Sequence, residues 1–143
     1  MNTTLQVLLV EDNEGDVELT EEALRDANFP VELMAAGNGL EALDILFKRG
    51  EHADTVTPHL ILLDLNMPQM DGREVLQIIK QDDALKRIPV VVLTSSEAEA
   101  DILRSYDLHA NAFVTKPVDL DKFVSVIQNL GEFWFDTVQL PSK

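Results

Sequence analysis

The chain alternates short apolar runs with longer stretches in which apolar residues recur every three or four positions. Five runs read as strands, at 5–10, 31–35, 60–64, 90–93 and 112–115. Three of them, LQVLLV, LILLD and VVVL, are apolar without alternation, the pattern of strands covered on both faces. Between the runs the spacing predicts helices near 15–27, 40–49, 73–81, 97–108 and 120–130. In the first, Val17, Thr20, Leu24 and Ala27 form one stripe, and Glu14, Glu18, Glu21 and Glu22 face water. In the last, Leu120, Phe123, Val124, Ile127 and Leu130 recur at helical spacing, with Asp119 as N-cap and Gly131 as stop. Asn38 and Gly50 bracket the second helix in the same way, and 48–59 reads as an exposed polar loop. Five such strand–helix units predict an α/β fold with a doubly wound, five-stranded parallel sheet, because right-handed crossovers put helices on both faces.

Length changes the picture little. The 143 residues, 45% hydrophobic and 26% charged, suit one globular domain over 1–143 with a single core. Charge changes it more. Lys and Arg number 11 against 26 Asp and Glu, a net charge of −15. So acidic a chain repels DNA and anionic lipid, which argues against direct DNA binding. No apolar run approaches the roughly 18 residues of a membrane span, so no membrane association is expected. The opening MNTTLQVLLVEDNEGD lacks the basic start of a signal peptide. The absence of cysteine excludes disulfides and thiolate chemistry and fits a reducing, cytoplasmic compartment.

The candidate chemistry lies at the carboxyl ends of the strands, where open α/β sheets bind ligands. Glu11 and Asp12 follow the first strand and Asp64 ends the third; Thr94 and Ser95 follow the fourth, and Lys116 the fifth. A strand order of 2-1-3-4-5 would gather them at one edge. Singly each has a bland reading: an Asp or Thr after a strand usually caps a helix, and a Lys before Pro is solvated. Their joint placement at successive strand ends is harder to explain that way. Three carboxylates brought together repel and stay ionised only beside a compensating cation. Oxygen ligands without Cys or His favour Mg²⁺ or Mn²⁺ over zinc. A carboxylate beside such a cation, a lysine and a hydroxyl is suited to accept a phosphoryl group.

The segments VLLVEDN, LILLDLNMPQMDG (60–72), VVLTSS (91–96) and ANAFVTKP (110–117) resemble two-component response-regulator receiver domains, over 5–130. The resemblance implies a flavodoxin-like sheet of order 2-1-3-4-5 with five helices, complete at 130, and an apolar tail over 131–143. It implies that Asp64 takes a phosphoryl group from a phosphohistidine on a sensor histidine kinase. Asp12, Asp64 and the main-chain carbonyl of Asn66 would hold the cation, with Glu11 acting through a water. Lys116 would contact a phosphoryl oxygen, Thr94 would move to another, Phe113 would be the aromatic switch, and small Ser95 would leave room. Met67–Pro68 and Gly72 match the loop after the acceptor, where Gly72 would permit a turn closed to other residues, and the Lys116–Pro117 bond is expected to be cis.

Two departures stand out: Glu-Asp replaces the commoner Asp-Asp pair, and His109 stands where many receivers have Gly. His52, His59 and His109 have no ligand spacing and read as surface polar residues. VEDNEGDVELTEEAL, SYDLHANAFVTKPV and FWFDTVQLP are similar to the single-domain regulators paired with bacterial phytochromes, which implies such a kinase partner. The tail carries Phe133, Trp134 and Phe135, three of eight aromatics, followed by Val138 and Leu140; it either joins two chains in a homodimer or seals its own domain. A haloacid-dehalogenase-type phosphohydrolase would want a second Asp where Asn66 stands, and a late acidic pair missing near Lys116. A pseudo-receiver would lack a site residue, and none is missing. The expected protein is therefore a phosphoacceptor, not an enzyme acting on external substrates.

Overall fold

The computed structural model describes residues 4–25, 31–65, 72–94 and 112–115, with Ala23, Thr94 and 112–115 as backbone only. Strands β1 (Leu5–Val10), β2 (Val31–Ala36), β3 (Leu60–Asp64), β4 (Val90–Thr94) and β5 (Ala112–Thr115) form one sheet of order β2-β1-β3-β4-β5. Every pair is parallel, as the apolar runs without alternation require. Helices α1 (Glu14–Arg25), α2 (Gly39–Leu46) and α3 (Gly72–Gln81) are the crossovers within the described residues. The helices expected at 97–108 and 120–130, His109, and the tail over 131–143 lie outside them.

The core has two parts, one on each face of the sheet. Leu8, Val10, Ile61, Leu63, Val90 and Val92 point to one face and meet Ala42, Leu43, Val75, Leu76 and Ile79 of α2 and α3. Leu5, Val7, Leu9, Leu60, Leu62, Val91 and Leu93 point to the other, where Leu24 of α1 lies. Adjacent residues of one strand thus enter opposite halves of the core, so an unbroken apolar run is the right sequence for the central strands. At the sheet edge the pattern relaxes: Val31 and Leu33 of β2 pack towards α1, Met34 towards α2 and α3, and Glu32 is exposed.

Local chemistry sets the helix ends. The Asn38 side chain accepts from Glu41 N at 2.8 Å and so caps the start of α2, and the Glu41 carboxylate accepts from Gly37 N, just before the cap, at 2.9 Å. The expected stop at Gly50 is displaced. The helix ends at Leu46; Arg49 N donates to Asp44 O at 2.8 Å and Lys48 N to Ile45 O at 3.2 Å, a Schellman closure with Lys48 in the left-handed region at φ 57°. Gly50, at φ 54°, instead opens a 3-10 turn over Gly50–His52. In α1, Thr20 is buried but keeps its hydroxyl satisfied, donating to Asp16 O at 2.8 Å.

The segment 48–59 is also not wholly solvated. Thr55 ties it to α2 by donating to Ile45 O at 3.1 Å, and Pro58 is buried. His59 is half-buried rather than a surface residue: its N–H donates to Gln6 O at 2.8 Å, and its Nδ1 accepts from Gln6 N at 3.0 Å. One imidazole thereby supplies the partner that a strand residue would otherwise give to β1.

Candidate functional site

The parallel register carries β1 and β3 to a common end. Val10 lies beside both Ala36 and Leu63, so one further step brings Glu11 level with Asp64. Glu11 N donates to Ala36 O at 2.9 Å, which continues the pairing with β2 past the end of β1. Asp64 is the last residue of β3 and pairs with Leu93; Leu65 N then donates to Leu93 O at 3.1 Å. Glu11 and Asp64 are 3% and 1% exposed, whereas Asp12 faces solvent. One carboxylate oxygen from each of the three lies within 4.8 Å of the others.

Three anions this close resist one another. At that separation two unit charges repel by about 3 kcal/mol even with an effective dielectric constant near 20, and two of the three are buried. Oxygen ligands on one octahedral ion with bonds near 2.1 Å lie roughly 3–4 Å apart, the scale of this cluster. Hard carboxylate donors with no sulfur among them suit a small divalent cation, so the residues present fit Mg²⁺ or Mn²⁺.

Gly72 has a different job from the one expected. It is not in the left-handed region; it is a point of close approach. A β-carbon there would lie 2.5 Å from Asp64 O and 2.8 Å from Leu65 Cα, both main-chain atoms. Gly72 N also donates to Leu65 O at 3.3 Å, so α3 starts directly on the backbone that carries Asp64.

Glu11, Asp12 and Asp64 are brought together as the sequence suggested. Thr94 ends β4 one residue beyond the partner of Asp64 and pairs with Thr115, and Phe113 pairs with Val92; both are placed by backbone alone. Asn66, Met67, Pro68, Ser95, Lys116 and the Lys116–Pro117 bond lie outside the described residues. Sequence reading missed Asn13, which links Glu11 to α1: its N–H donates to Glu11 Oε2 at 3.2 Å and its Oδ1 accepts from Asp16 N at 3.0 Å. An Asn just before an acidic first turn was the available signal.

Comparison with known proteins agrees with this geometry. The response regulator receiver domain family matches residues 7–128. Response regulator Rcp1 of Synechocystis sp. is 46% identical over 136 residues, covering 95% of this chain and 92% of that protein. The phosphorylated cyanobacterial phytochrome response regulator RcpA superposes with a TM-score of 0.81 at 47% identity, over 97% of this chain and 99% of that one. The Mn²⁺-bound form of response regulator Rcp1 gives 0.78 at 46% identity, over 96% and 99%. Among the described residues no helix is long and apolar enough to cross a membrane.

Proposed function

Since the chain belongs to the response regulator receiver domain family, we propose that it is a two-component signalling protein whose Asp64 accepts a phosphoryl group from a phosphohistidine on a sensor histidine kinase. The observation that carries this reading is the buried Asp64 carboxylate, held at a strand end within 4.8 Å of Glu11 and Asp12.

Asp12, Asp64 and the Asn66 carbonyl would hold Mg²⁺ or Mn²⁺, with Glu11 acting through a water. A bound cation would neutralise the charge that otherwise keeps a phosphoryl group away from these carboxylates. One Asp64 oxygen attacks phosphorus in line with the P–N bond of the donor. That bond breaks, its electron pair leaves with the imidazole nitrogen, and an acyl phosphate remains on Asp64. Lys116 supplies a fixed positive charge to a phosphoryl oxygen, and the Thr94 hydroxyl donates to another. Phe113 turns inward as Thr94 moves. The protein catalyses no reaction beyond its own phosphorylation and dephosphorylation.

Similarity to RcpA, a phytochrome response regulator, supports a phytochrome-type kinase as the phosphoryl donor, and the cysteine-free sequence fits the reducing cytoplasm as the site of action. The tail over 131–143, beyond a receiver core at 5–130, supplies Phe133, Trp134 and Phe135 for a homodimer. Light scattering at tens of micromolar should then give a dimer that Trp134→Ala weakens; a monomer throughout removes the dimer from this reading. The acceptor is tested by intact mass after acetyl phosphate and Mg²⁺. One phosphoryl group should add to the wild type and none to Asp64→Asn or to protein in excess chelator. Equal labelling in all three refutes the assignment.

A further inference from the structure

Asn13 makes three bonds that together join the sheet edge to a helix. Its N–H donates to Glu11 Oε2 at 3.2 Å; its Oδ1 accepts from Asp16 N at 3.0 Å; its carbonyl accepts from Val17 N at 3.0 Å. The first bond reaches a carboxylate of the acidic cluster, and the other two fix the first turn of α1. Glu11 is itself anchored to β2 through Ala36 O. Asp12 is therefore one residue suspended between two fixed points. It is exposed, so burial does little to fix its carboxylate, and the bonds of its neighbours hold the backbone that carries it. A bare glycine at position 15 leaves the cap oxygen its room, since a β-carbon there would stand 3.2 Å from Asn13 Oδ1.

We propose that Asn13 is a positioning residue for the divalent-cation site, its side-chain cap on α1 holding the Asp12 carboxylate towards Glu11 and Asp64. The inference rests on the phosphoacceptor reading above. Asn13 acts through Asp12 and not as a ligand. Groups that orient metal ligands from behind typically contribute about 10–100-fold to affinity, and the exposure of Asn13 places it at the lower end.

The test compares Mn²⁺ affinity, read from the paramagnetic resonance of the free ion, in the full chain at a temperature where circular dichroism shows every variant folded. Asn13→Ala should weaken Mn²⁺ binding about tenfold. Asn13→Ser, which restores a capping oxygen, should recover most of the loss. Asn38→Ala supplies the control: it removes the equivalent cap from α2, where Asn38 accepts from Glu41 N at 2.8 Å, and should lower the melting temperature without changing Mn²⁺ affinity. Should Asn13→Ala melt below the assay temperature, Asn13→Gly carries the same comparison, because glycine is a milder loss at a cap. Unchanged affinity in Asn13→Ala, or an equal loss in Asn38→Ala, overturns the positioning role and leaves the phosphoacceptor reading standing. Wild-type protein that fails to bind millimolar Mn²⁺ overturns both.

Discussion

Replacing Gly72 by alanine should separate the packing of the site from the general preferences of helices. Within a helix, alanine is favoured over glycine by about 1 kcal/mol, so a propensity argument expects Gly72→Ala to stabilise. The geometry says otherwise. The new β-carbon would lie 2.5 Å from Asp64 O, some 0.9 Å short of the 3.4 Å at which ordinary contact begins, and 2.8 Å from Leu65 Cα. Both atoms are main chain and Asp64 is buried, so no rotamer change relieves the clash. Either α3 lifts from the sheet or the Asp64 backbone shifts. Overpacking of this kind costs about 1–3 kcal/mol, and two main-chain contacts under 3 Å place this site at the upper end, which outweighs the propensity gain. A chain of this size should melt roughly 3–10 °C lower. Because a displacement near 1 Å can cost about 100-fold in a reaction that depends on alignment, labelling by acetyl phosphate should slow by about tenfold or more. Gly37→Ala is the control, since nothing lies within 4 Å of a β-carbon there. The assays are thermal denaturation and the rate of mass gain, both at saturating Mg²⁺. A Gly72→Ala protein that melts at or above wild type and labels at the same rate would refute the reasoning.

Three further outcomes follow from separate parts of the fold. Burial lowers the pKa of His59 below 6.5, and its Nδ1 must be unprotonated to accept from Gln6 N, so below 6.5 the unfolded chain binds the proton more readily. Stability is therefore complete above pH 6.5 and lost as pH falls through the folded value; urea midpoints of wild type and His59→Gln should converge between pH 7.5 and 5.5, and a constant difference contradicts this. Lys48→Gly should stabilise by about 1 kcal/mol by removing a side chain from the left-handed region at φ 57°, and an unchanged or lower urea midpoint would show that no strain is stored there. Mg²⁺ at 100 times its dissociation constant should add about 2.7 kcal/mol at pH 7.5 and little once the carboxylates protonate in acid; equal melting with and without Mg²⁺ at pH 7.5 counts against the cation site.

Much of this architecture is legible along the chain, for a physical reason. A central strand of a parallel sheet sends alternate residues into two apolar layers, so Leu5–Val10 and Leu60–Asp64 announce themselves as unbroken runs. The acidic cluster follows from the same rule, because the carboxyl ends of β1 and β3 must meet if those strands are neighbours. What stays hidden depends on partners distant in sequence or on a choice between local options. The bond from Gln6 N to His59 Nδ1 spans 53 positions, and nothing around His59 distinguishes it from a solvated histidine. Either Lys48 or Gly50 could close α2; glycine is the easier choice, yet the Schellman bonds fall on Lys48. Gly72 is visible as a glycine, but its reason is a backbone that approaches from another element.

The claim on which all of this rests is that Asp64 carries the phosphoryl group, and chemical trapping tests it most directly. An acyl phosphate, unlike a free carboxylate or a phosphate ester, is reduced by borohydride to the alcohol, which converts an aspartyl phosphate to homoserine. Protein labelled with acetyl phosphate and Mg²⁺, reduced, digested and mapped by tandem mass spectrometry should contain homoserine at position 64 and at no other aspartate. Homoserine at another position, or none despite a confirmed gain in mass, would contradict the account.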